Sequence, residues 1–459
     1  MAGTQNQELR GEILTENLWR LMMRMSLPAI IAMSVNAVNT FVDGLFVGQY
    51  VGQNALAAIS LVLPLTMITN GISALIGMGS SSLLSIAIGS GDVDIQKKVF
   101  GTLTLLSVLF SIVLTGLGLY FASDLLAMMG GRGEIQELGT LYYQIILIGS
   151  FFRIFAVAAN VLIRAEGKVK EAMTYSIITT LLNIFLNPLF IVYFEMGVAG
   201  AAWSTVAAMF VFTLFDLWYF FSNRTSYPVD LKKYSLEKKL LKPIFSVGVS
   251  AMMLQIMFFV QQLVVFRSLA HYGDDWDIAF MGACYRIFLI ALVPGFGFAQ
   301  AMQPIVGINY GAGEYNRVKK SYHIFAACYT IFLLLTWGFI MIMPRMTLGW
   351  MLPDATFTNQ DILNFRLMLS TLPLFPYFMM GTTLFQSIGN ARAAGYALVA
   401  RDIIIFIPVV LLLPIWFGVP GIYAAGIPVN IIMLIVVAFM VEGQFKKWQG
   451  KEVRGQIEK

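Results

Sequence analysis

The chain has 459 residues, of which 58% are hydrophobic and 12% charged, with a formal net charge of +5 and a mean hydropathy of +0.77. A soluble protein carries about 25% charged residues, so this composition excludes a water-soluble globular fold and makes lipid the solvent for most of the chain. The two cysteines, Cys284 and Cys328, and the two histidines, His271 and His323, are scattered. That pattern excludes a zinc site, a haem attachment or a Cys/His nucleophile pair, and no Gly-rich loop ends in Lys-Ser or Lys-Thr to hold ATP.

Residues 1–20 are polar and mixed in charge, without the basic, apolar and small-residue order of a cleavable signal peptide. Twelve apolar spans follow, at 26–48, 54–88, 99–121, 138–163, 172–194, 200–222, 243–270, 278–310, 322–343, 362–388, 393–416 and 420–443. The fold class is therefore all-α and membrane-integral. With the N-terminus in the cytoplasm, 24 of the 30 Lys and Arg lie on that side, Lys97, Lys168, Lys238, Lys319, Arg392 and Arg401 among them. Only Arg132 and Arg345 fall in loops of the other face. This asymmetry orients the chain with both termini cytoplasmic, and the positive charge reads as a topology signal rather than a nucleic-acid surface.

The chain also repeats itself. Gly89-Ser90-Gly91-Asp92, followed by Lys97-Lys98, recurs as Gly311-Ala312-Gly313-Glu314, followed by Lys319-Lys320, at an offset of 222 residues. Gly167 and Gly389 share that offset, and Gly197-Val198-Ala199-Gly200 returns as Gly418-Val419-Pro420-Gly421. Six spans per copy insert both halves in the same direction, related by a pseudo-twofold axis along the membrane normal. The expected organisation is a first lobe over 1–222, a basic cytoplasmic linker over 223–242, and a second lobe with the tail over 243–459.

A charged group inside a span costs about 2.5–3.5 kcal/mol, so the few polar residues there point to function. Asp43 in span one follows Asn36 and Asn39 on one helical face. Span five places Asn183 and Asn187 on a shared face, and span six carries Thr205. A carboxylate among amides and hydroxyls suits a proton or a hard cation such as Na⁺. Gln255 and Gln262 share a face of span seven; with Gln303 and Arg286 of span eight they are candidates to line a cavity. Pro294-Gly295-Phe296-Gly297 reads as a break or bend in span eight. Asp216 and Asp402 fall toward the cytoplasmic ends of their spans as structural residues.

The segment Pro28 to Gly48, with Val42-Asp43-Gly44 and Phe46-Val47-Gly48, resembles the first helix of multidrug and toxic compound extrusion (MATE) transporters. Arg164-Ala165-Glu166-Gly167-Lys168 resembles the loop after the fourth helix, Asn183 to Pro188 the fifth, and Gln303-Pro304-Ile305-Val306-Gly307-Ile308-Asn309-Tyr310-Gly311 the end of the eighth. The likeness covers nearly the whole chain and has the flavour of the DinF/MepA-type branch. It implies two six-helix lobes and an antiporter, not an enzyme. Such a protein exports amphipathic, often cationic drugs and dyes against H⁺, or Na⁺, without a further cofactor, as a monomer in the membrane of a bacterial cell.

The resemblance also implies a coupling role for Asp43 with Asn183 and Thr205, and a gate role for Glu166. Many relatives have an Asp where this chain has Asn187, and no acid stands in the core of spans seven or ten, which leaves Asp43 as the main coupling acid. The alternative is a lipid-linked precursor flippase of the same superfamily, which would need a more cationic cavity.

Overall fold

A computed structural model describes residues 10–457, apart from 223, 231–232 and 353–354. The described residues are helical with no strand: eleven helices are long and apolar enough to cross a membrane, and a bent pair completes a twelfth span. Polar side chains start several of them. Asn17 caps Leu18–Tyr50, Asp92 caps Val93–Met128, and reciprocal capping boxes at Asp274 and Thr358 open Asp275–Gly311 and Asn359–Leu369.

Most spans run past their hydropathy limits, because the helices continue through the interfacial layers. Span two is Gln53–Ser90, span seven Lys238–Tyr272 and span nine Tyr315–Ile342. Span four is bent by 53° where Gly149 separates Glu134–Ile148 from Ser150–Ala165. Span eight is not broken: Asp275–Gly311 stays one helix through Pro294 and Gly297. The glycines there serve close packing instead. A side chain on Gly295 would collide with Tyr329, and one on Gly297 with Ile30. The break falls in span ten, between Leu369 and Phe375.

Packing repeats between the halves. Span one packs on five and seven on eleven; two packs on three and four, and eight on nine and ten; four packs on six and ten on twelve. Between the halves, span two lies along span seven and span eight along span one, the exchange a twofold axis produces. Large apolar side chains such as Ile112, Leu335 and Phe439 remain exposed around the outside, where lipid covers them.

Glycines set the distance between the halves. A Cβ on Gly79 would lie 2.1 Å from the Ile244 carbonyl oxygen, and one on Gly248 2.1 Å from that of Leu75. Gly89 meets Ile308 and Gly311 meets Ile86 in the same way, a reciprocal pair spaced by the repeat. Backbones touch directly, as small residues allow in membranes. All these contacts lie between Gly71, which faces Met252, and the basic end of span two. At that end Arg10 donates to the Gly89 carbonyl at 2.8 Å, and Arg317 to the carbonyls of Ile13 and Glu16 at 2.9 Å. The halves are thus closed at the basic face. On the other side of Gly71 they part around a cavity of about 430 Å³.

The linker is not a loose tether. Thr225, Ser226 and Tyr227 are buried, Thr102 donates to the Ser235 carbonyl at 2.7 Å, and Lys98 pairs with Glu237 at 3.1 Å. The segment lies on the first half, and the helix of span seven begins at Lys238. Gly89→Val tests the closure. Overpacking costs about 1–3 kcal/mol, so spin labels at Val93 and Lys320 should show a larger share of long distances in this variant than in the parent.

Candidate functional site

Asp43 sits in the half of span one away from the basic face, where three spans meet. Its Oδ2 accepts from the Asn39 amide at 3.1 Å, one turn earlier, and its Oδ1 accepts from the Asn187 amide of span five. Asn187 is 2% exposed, and its own oxygen accepts from the Ser204 hydroxyl of span six. The α-helix of span five, Val169–Pro188, passes into a π turn, Leu189–Tyr193, directly after Asn187. A wider turn of this kind often accompanies a functional position.

No cationic side chain pairs with Asp43 among the described ion pairs. Arg153, a half-buried guanidinium in this lobe, donates twice to Asn70 at 3.0 and 3.1 Å instead. Asp43 is therefore a carboxylate held by neutral amides, and its charge is free to be cancelled by a proton or a bound cation rather than by a fixed partner.

The other expected residues divide. Asn36 joins span one to span five by accepting from Thr180 at 2.6 Å, and both line a polar cavity of about 290 Å³ inside the first lobe. Asn183 is buried next to this group, but its amide nitrogen has no partner and does not reach Asp43. Thr205 returns its hydroxyl to the Ala201 carbonyl of its own helix at 3.1 Å. Gln255 and Gln262 both line the central cavity between the lobes. Gln303 lies in the closed contact instead, donating to Ser85 across the lobes at 3.4 Å. Arg286 is exposed and lines none of the cavities described here. Ser204 and Thr180 were missed: a lone hydroxyl in an apolar helix gives no signal until its neighbour is known.

Arg401 and Asp402 correct the sequence reading. Both were placed at or near the cytoplasmic end of span eleven, yet they lie eleven and twelve positions into it, in the π turn Ala400–Phe406, buried at 7% and 2% exposure. Arg401 donates to Asp402 at 2.7 Å, and Gln261 of span seven donates to the same carboxylate.

Glu166 caps span four at the basic face and is 1% exposed. It accepts from the Tyr219 hydroxyl at 2.6 Å and from the Ser226 backbone N–H. It therefore lies beneath the linker rather than at a cavity mouth.

Two six-span halves around a cavity, with a half-buried acid held only by amides in one of them, define a membrane transporter. The MatE family model matches residues 28–189 and again residues 250–412, and the chain belongs to this family, the multidrug and toxic compound extrusion transporters, which are not enzymes. The chain is 26% identical over 410 residues to the multidrug export protein MepA of Staphylococcus aureus, covering 88% of this chain and 89% of MepA. It is 24% identical to YoeA of Bacillus subtilis, named as a multidrug resistance protein, over 90% of this chain and 92% of YoeA. Among solved structures, a MATE protein in the bent conformation superposes with a TM-score of 0.91 at 25% identity, covering 98% of this chain and 99% of that one. An outward-facing multidrug resistance MATE transporter superposes with a TM-score of 0.89 at 25% identity, covering 96% and 98%.

Burial pushes the Glu166 carboxyl up to about 7, with the bonds from Tyr219 and Ser226 pulling it partly back. An acid whose folded pKa is raised contributes stability that is fully present below its unfolded value and is lost as pH rises through the folded one. Linker docking should therefore weaken between about pH 4.5 and 7. The protection factor at Ser226, its exchange rate corrected for the intrinsic pH dependence, should fall several-fold over that window, and Glu166→Gln should flatten this change.

Proposed function

We propose that the protein exports amphipathic, predominantly cationic compounds in exchange for protons, by alternating access, from a bacterial cell membrane with both termini in the cytoplasm. The observation that carries this reading is Asp43, a half-buried acid within span one whose described partners are Asn39 and Asn187 and which no described ion pair neutralises. Asn39 and Asn187 both turn their N–H groups toward it, which leaves few oxygens for Na⁺, a hard cation that takes several. Among the described residues no cluster of three acidic, His or Cys groups completes a metal site. Protons are therefore the first choice of coupling ion and Na⁺ the alternative that the test below distinguishes.

With the basic face taken as cytoplasmic, the closed contact is the inner gate and the structure is outward-facing. In this state Asp43 takes up a proton from outside. A neutral carboxyl no longer attracts a cationic compound, and its hydrogen bonds to Asn187 and Asn39 weaken, which favours release outward. After the lobes rock, the proton leaves to the cytoplasm and the carboxylate attracts the next cation. One charge moving through 100 mV supplies about 2.3 kcal/mol, enough for roughly fifty-fold concentration of a neutral substrate per proton.

The central cavity supports small amphipathic substrates over a lipid pyrophosphate. Its walls include Leu63, Met67, Phe258 and Phe296, its polar groups are neutral, and no Lys or Arg lines it. Flexible methionine and flat aromatic surfaces accept varied ligands. The protein works as a monomer in this scheme, since each chain holds both lobes and the cavity between them.

The test is dye transport by proteoliposomes under separately imposed proton and sodium gradients. The parent should move dye under the proton gradient, and Asp43→Asn should lower the coupled rate by more than about tenfold while dye binding persists. Full proton-coupled transport by Asp43→Asn would sink the assignment, and transport under the sodium gradient alone would replace the proton by Na⁺.

A further inference from the structure

The second lobe contains a separate cavity of about 90 Å³ that the coupling scheme leaves unused. A single water needs roughly 10–15 Å³ on this measure, so the space suits a ring-sized group. Phe266, Phe288, Phe406 and Met281 form much of its wall, and Gln262, Arg401 and Asn430 are among its polar groups. Gln262 and Tyr285 line this cavity and the central one alike, so the two adjoin at these side chains.

The chemistry of the pocket centres on Arg401. Its guanidinium lies 4.7 Å from the Phe378 ring centroid and 5.2 Å from that of Phe375, a cation–π arrangement that holds it in place. One nitrogen is committed to Asp402, whereas its Nε is buried with no hydrogen-bond partner. A buried N–H without an acceptor is costly and rare. The π turn Ala400–Phe406 holds Arg401 and Asp402 together in the span.

We propose that this cavity is a head-group subsite of the transport path, taking an uncharged aromatic head that bears a carbonyl or amide oxygen, with that oxygen on an N–H of the Arg401 guanidinium, which lines the cavity. The rest of the compound stays in the central cavity, beyond Gln262 and Tyr285. Arg401 and Asp402 already cancel. An added ammonium or carboxylate would unbalance that pair and be desolvated without a counter-charge. A neutral acceptor can bond the guanidinium without unbalancing the pair, and a flat ring packs on the aromatic walls. This reading rests on the export function for its purpose, but binding alone tests it.

Tetraethylrosamine and rhodamine B diethylamide share one xanthylium cation, and only the second carries an amide head. Fluorescence polarisation with the purified full chain in detergent should show the amide binding about tenfold more tightly. Two variants remove the preference by different routes. The double substitution R401Q and D402N deletes both charges together and leaves no unpaired buried ion. Gly426→Leu fills the pocket at a position where a Cβ meets nothing closer than 3.8 Å. In each folded variant the two dyes should bind equally, with rosamine affinity as in the parent. Should the double variant fail to show a cooperative melt, Gly426→Leu decides. Equal binding of both dyes to the parent, or a preference that survives Gly426→Leu, overturns the subsite and leaves the export reading standing. Failure of the parent to bind either dye overturns both.

Discussion

A bilayer offers no hydrogen-bonding solvent, so every polar group carried into it must find its partner within the protein. That constraint makes the chain helical, since helices satisfy their own backbones. It also directs the polar side chains inward. Asp43, Asn36, Asn187 and Thr180 turn toward one another between spans one, five and six, while Ile112, Leu335 and Phe439 face lipid. Many hydroxyls, such as those of Thr205 and Thr382, return to a carbonyl of their own helix. What remains for function is the small set of groups whose partners come from other spans.

The second consequence concerns how the lobes meet. Apolar side chains gain nothing by leaving lipid for one another, so association depends on close van der Waals contact. Gly79, Gly89, Gly248 and Gly311 supply it by bringing backbone against backbone. The polar ties that cross this surface include Ser82 to the Gln386 carbonyl, Gln303 to Ser85, and Arg317 to the carbonyls of Ile13 and Glu16. A contact made chiefly of shape can open as a unit, which suits two rigid lobes that rock. The linker complements this. Docked on the first lobe as far as Glu237, it leaves little free chain before span seven, so motion between the lobes is confined to a short joint.

The halves share a plan and differ in chemistry. In the first, Asp43 is held by the amides of Asn39 and Asn187, with no cation among its described partners. In the second, an acid and a base on adjacent residues neutralise each other, and Gln261 ties them to span seven as Thr180 ties span five to span one. One lobe is thereby able to change charge and the other to keep a neutral polar pocket. The repeat supplies matching frames, and a handful of substitutions within them divides the tasks.

Composition and periodicity alone determined a great deal. Apolar length fixes the number of spans, because a bilayer sets how much chain is needed to cross it. Basic loops orient them, and repeated turn residues reveal the two halves. Asp43 was legible because a charge in an apolar run is costly enough to need a reason. What the tertiary structure decided was pairing. Asn183 and Asn187 look alike in sequence, yet only Asn187 reaches Asp43, because small differences in helix rotation and the π turn that follows it aim one amide at the acid. Ser204 entered the network and Thr205 left it for the same reason. Arg401 counts in sequence among the basic residues of the cytoplasmic side, yet the fold buries it well inside span eleven, beside Asp402 and two phenylalanine rings. Hydropathy averages along a chain and finds where helices lie. Which faces meet depends on rotations and close contacts between residues hundreds of positions apart, and only the folded molecule brings those together.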